Sequence, residues 1–71
     1  SAEQKTLKGV YSNLARVTFT KNEFVLGFVF TFGEEAHLVS RVVVSPQHMK
    51  NLKKVITNSL EEYEKEFGKN D

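Results

Sequence analysis

Seventy-one residues make one small domain, and a chain this short buries too little apolar surface to offset its own entropy without disulfides, a metal or self-association. There is no cysteine, which excludes disulfides, thiolate metal sites and cysteine nucleophiles together and leaves self-association as the expected source of extra stability. The net charge of +1 conceals a segregation: residues 1–57 carry eight bases against four acids, and residues 58–71 carry two bases against five acids. A mildly basic body with an acidic tail attracts polyanions such as nucleic acid, although mixed surface charge on a soluble domain is the simpler reading.

In chain order, residues 1–9 are polar, end on Gly9 and read as a flexible arm before a single domain over residues 10–71. From about Tyr11 to Thr20 the side chains alternate, which predicts a strand with Tyr11, Asn13, Ala15, Val17 and Phe19 on one face and Ser12, Leu14, Arg16 and Thr18 on the other. Lys21-Asn22 is the expected two-residue hairpin turn, with Asn tolerating the positive φ that such turns favour. Closure at Thr20 and Glu23 then pairs Phe19 with Phe24, Val17 with Leu26, Ala15 with Phe28 and Arg16 with Gly27.

The second strand, Phe24 to Phe32, has large apolar side chains on both pleat faces, so it needs cover from two sides. Phe24, Leu26, Phe28, Phe30 and Phe32 form an aromatic face; Val25, Gly27, Val29 and Thr31 form a milder one, where the Arg16 side chain is expected to lie over Gly27. Gly33-Glu34-Glu35 marks the next turn, and a third strand runs from about Ala36 to Val44. A three-residue loop with a bulge puts Leu38, Ser40, Val42 and Val44 on the aromatic face and His37, Val39, Arg41 and Val43 on the milder one. A two- or four-residue loop reverses this. The three-residue loop is preferred because it keeps His37 and Arg41 out of the phenylalanine cluster, where an unpaired charge is costly.

Ser45-Pro46 is a helix start: the serine hydroxyl caps free amides, and proline at the first helical position loses no bond. The helix is expected to run to Phe67 and stop at Gly68. Met49, Leu52, Ile56, Leu60, Tyr63 and Phe67 recur every three or four residues and make one apolar stripe, expected to lie across a sheet face. Lys50, Lys53 and Lys54 occupy the first half of this helix and Glu61, Glu62, Glu64 and Glu66 the second, which opposes the helix dipole. Two such helices packed antiparallel about a two-fold axis turn the conflict into complementarity. The fold class is therefore α+β: a three-stranded antiparallel meander followed by one long C-terminal helix, expected to form a homodimer through helices or sheets.

Catalysis has little to work with. There are two histidines, one aspartate at the chain end and no phosphate loop, HExxH or nucleophile elbow, so no enzyme and no cofactor is expected. His37 has no second ligand at useful spacing and no metal is expected; His48 reads as a neutral side chain beside the helix cap. Arg16, His37 and Arg41 are expected to project together from the milder face, among valines and Gly27. Solvated strand charges that discourage edge pairing are the plain explanation. A polyanion backbone held by Arg16, Lys21, His37, Arg41, Lys50, Lys53 and Lys54 is the functional one, and the partner is then nucleic acid. The alternative is a protein-interaction or chaperone-like module that uses an apolar surface left uncovered. No stretch spans a membrane and no signal-peptide pattern opens the chain, so a soluble, cytoplasmic protein is expected.

At Tyr11-Ser-Asn13, Phe24-Val-Leu-Gly-Phe28, Ser40-Arg-Val-Val-Val-Ser-Pro-Gln-His-Met-Lys50 and Tyr63-Glu-Lys-Glu-Phe67-Gly68, the chain resembles the small prokaryotic proteins of domain of unknown function family 3467. The likeness covers nearly everything after Tyr11. It implies no activity and transfers no functional residue; Gly27 stands where that family often carries an acid. In layout alone, strands followed at once by one helix, the chain is similar to the single-stranded nucleic-acid-binding domains of the transcriptional coactivator and purine-rich-element-binding group.

Overall fold

The computed structural model describes residues 8–68. Three strands, β1 (Leu14–Phe19), β2 (Phe24–Phe32) and β3 (Glu35–Val44), form one antiparallel sheet with β2 in the centre, and the helix α1 (Pro46–Phe67) follows. The fold is α+β, as expected. Most of the arm expected over residues 1–9 lies outside the described residues; Lys8 and Gly9 are exposed and have no regular structure.

The β1–β2 register agrees with the alternation pattern at every pair, including Phe19 with Phe24, Val17 with Leu26, Ala15 with Phe28 and Arg16 with Gly27. Phe19 and Phe24 reinforce it with ring centroids 5.5 Å apart. The turn has the expected two residues, Lys21-Asn22, between Thr20 and Glu23, but not the expected conformation. No described residue other than glycine has positive φ, so Asn22 does not use the left-handed region. Instead the Asn22 amide donates to the Thr20 hydroxyl at 3.2 Å, and the Thr20 amide donates to the Glu23 carbonyl at 2.9 Å.

β1 is shorter than the alternation suggested because Asn13 replaces backbone pairing with its side chain. Its carboxamide oxygen accepts from the Thr31 amide at 2.9 Å and from the Thr31 hydroxyl at 3.1 Å, while its nitrogen donates to the Thr31 carbonyl at 3.1 Å. The Asn13 amide also donates to the Val29 carbonyl. Thr31 thereby keeps hydrogen-bonding partners although residues 11–13 are no longer strand and only the Asn13 amide still bonds to β2 through the backbone. Tyr11 then stands edge-on to Phe30, with centroids 5.9 Å apart.

β3 departs from the expected parity in half of its length. The second turn has two residues, Gly33-Glu34, closed by the Phe32–Glu35 pair, and Gly33 takes φ +61° at the first central position, as a type II′ turn requires. The extra residue sits inside the strand: Phe28 pairs with Ser40 and Val29 with Leu38, so Val39 bulges out. Ser40, Val42 and Val44 lie on the aromatic face as expected. Leu38 moves to the milder face, and His37 comes opposite Phe30 on the aromatic one. The cost argument against that placement does not apply, because this end of the face is open: Phe32 is 74% exposed and the His37 side chain 62%.

α1 has the expected bounds. The Ser45 hydroxyl accepts from the His48 amide at 3.0 Å, Pro46 opens the first turn, and the Gly68 amide donates to the Glu64 carbonyl at φ +80°. The stripe does not cross the sheet along its whole length, however. Pro46, Met49, Leu52, Lys53 and Ile56 face Phe24 and Leu26 across an apolar groove of about 430 Å³. From Val55 and Ile56 onward the stripe meets solvent: Ile56 is 57%, Leu60 53% and Phe67 68% exposed.

As a result the described residues enclose almost no interior. Leu26, at 9% exposure, is the one buried apolar side chain among the described residues. The accessible surface is 6525 Å², where a compact monomer of 8.1 kDa exposes about 4,500 Å². The radius of gyration is 15.2 Å, where a compact domain of this length has about 11 Å.

Candidate functional site

The sheet brings two of the expected basic residues into one row. Arg16 pairs with Gly27 and Gly27 with Arg41, so the three cross the sheet side by side on the milder face. Two strand spacings separate the arginine backbones, about 10 Å. Both side chains are exposed, and among the described residues neither guanidinium forms an ion pair. No strand residue on this face is acidic: its other members are Leu14, Thr18, Val25, Val29, Thr31, Ala36, Leu38 and Val43.

Gly27 leaves a shallow gap between the arginines. A Cβ there would meet Leu38 Cδ1 at 3.5 Å and the Arg16 carbonyl oxygen at 3.8 Å, both ordinary contacts. The atom nearest the glycine therefore belongs to Leu38, not to the Arg16 side chain that was expected to cover it. Leu38 is the residue that sequence reasoning missed at this site. Only the bulge at Val39 brings it to this face, and the bulge has no glycine or asparagine to announce it.

The remaining basic residues lie elsewhere. His37 is on the opposite face, 3.2 Å from a Glu35 carboxylate oxygen, in a pair so exposed that it adds little stability. Lys21 stands in the β1–β2 turn. Lys50, Lys53 and Lys54, with Thr57 and Asn58, line a shallow depression on α1, and Lys50 and Lys53 also border the groove beside Phe24. The seven candidates thus divide between two sides of the sheet and do not form one continuous surface.

Among the described residues, no group of three or more His, Asp or Glu side chains could hold a metal, and no helix is long and apolar enough to cross a membrane. The milder face can offer two fixed cationic forks on a flat, partly apolar floor, suited to pairing with phosphate or carboxylate oxygens.

No curated protein and no solved structure matches the chain, and the layout likeness to the coactivator group finds no support. A family model described as a protein of unknown function, DUF3467, matches residues 2–69. The match spans nearly the whole sequence, and the chain belongs to that family.

Proposed function

We propose that this protein is a non-enzymatic homodimeric binding module whose milder sheet face holds the sugar-phosphate backbone of single-stranded nucleic acid. The observation that carries the reading is the Arg16–Gly27–Arg41 row, two unpaired guanidiniums on a face without a strand carboxylate. Arginine forks match phosphate oxygens two at a time, and Leu38 beside Gly27 gives an apolar floor between them. Thr18 supplies a hydroxyl on the same face. Lys21, at the turn, and the helix lysines add long-range attraction without touching the same ligand.

The test is an anisotropy titration with a mixed-sequence single-stranded oligonucleotide over a range of salt. Each phosphate neutralised contributes about −0.7 to the slope of log K against log salt. Replacing Arg16 and Arg41 together by alanine is expected to weaken binding and to flatten that slope by about 1.4 per protomer. Absence of binding at low salt, or an unchanged slope in the double variant, contradicts the reading.

One observation favours a second reading, a protein-interaction surface. Leu14, Leu38 and Val43 on the same face are all about half exposed. A partner held by these side chains would bind with little dependence on salt and would survive loss of the arginines.

A further inference from the structure

The groove between the first half of α1 and the sheet is apolar, open and bordered by Lys50 and Lys53. The second half of α1 carries the complementary features: an exposed apolar stripe through Leu60 and Phe67 with Glu64 beside it. We propose that the groove is filled by the second half of α1 from a second copy of the chain, and that the two helices cross antiparallel about a two-fold axis near Asn58. This deepens the dimeric part of the function proposed above and does not depend on what the arginine face binds.

The register follows from the stripe. An axis near Asn58 sets Met49 beside the partner's Phe67 and Ile56 beside the partner's Leu60. At 100° per residue, Lys53 and Glu64 project about 60° and 80° from Ile56 on the same side of the stripe. A two-fold axis perpendicular to antiparallel helices brings like flanks together, so Lys53 meets the partner's Glu64 and Glu64 meets the partner's Lys53. The segregation of bases and acids that works against the dipole of one helix becomes two interchain pairs.

The area is adequate. A standard interface takes about 800 Å² from each partner. The protomer exposes 6525 Å², roughly 2,000 Å² more than a compact monomer of its mass. Seating the helix would cover Phe24, Met49 and Ile56 of one copy and Leu60 and Phe67 of the other. The contact is isologous, so it closes at two copies.

Sedimentation equilibrium on the full chain tests this with Lys53→Glu, Glu64→Lys and the double exchange. Glu64 lies outside the groove, and Lys53→Glu exchanges a charge at its border while leaving the apolar lining side chains in place. The wild type is expected to be a dimer, each single variant to raise the dimer Kd about tenfold or more, and the double variant to return it to within about threefold of wild type. A protein monomeric up to about 100 µM overturns the proposal. So does a dimer indifferent to either single change, or a double variant no tighter than the singles. A monomer that still binds oligonucleotide through Arg16 and Arg41 would overturn this inference and the dimeric part of the proposed function but leave the ligand, and a dimer blind to nucleic acid would overturn only the ligand.

Discussion

Asn13 shows how one side chain can end a strand without leaving its neighbour unsatisfied. Its carboxamide engages the amide, hydroxyl and carbonyl of Thr31 and frees residues 11–13 to bring Tyr11 to Phe30. Asn13→Ala removes all three bonds at an exposed position, so a loss of about 1 kcal/mol is expected by chemical denaturation, with loss of amide protection at Thr31. Unchanged protection would mean that the backbone can reclaim the pairing. None of this was legible in the sequence, because the bond joins residues 18 apart and Asn13 fits an alternating strand equally well. The two arginines were legible as residue types and, through the hairpin register, as neighbours of Gly27. His37 and Leu38 were not, since their faces depend on the place of one extra residue.

At the scale of elements, the contrast between the two hairpins is instructive. The β1–β2 pairing follows from period-two alternation and one turn length, and the Phe19–Phe24 and Val17–Leu26 pairs leave a slipped register no advantage. β3 holds valines and leucine on both faces, so either parity buries similar side chains and the hydrophobic pattern cannot choose. Val39 settles it as a bulge. Deleting Val39 should therefore preserve both flanking registers, Phe28 with Ser40 and Val29 with Leu38, where deletion of another β3 residue would invert one half. Cross-strand NOEs between Phe30 and His37 in the deletion variant test this; their replacement by Phe30–Leu38 NOEs would show that the bulge does not set the register. The helix was legible at both ends, since Ser45-Pro46 and Gly68 are strong local signals. Its reach was not. A stripe of six apolar positions says that the whole length can be covered, but not that the sheet leaves Leu60 and Phe67 exposed.

At the scale of the molecule, one buried apolar side chain among the described residues is too little to offset the entropy of ordering some sixty residues. The composition points the same way: without cysteine, the surviving route to stability is association. If a second copy supplies the missing cover, folding and dimerisation are one equilibrium, and stability belongs to the pair. Thermal unfolding followed across a hundredfold range of protein concentration tests this most directly. If a second copy completes the fold, Tm rises by about 5 °C for each tenfold increase. A Tm that does not move with concentration would contradict it, and would mean that the open protomer folds alone.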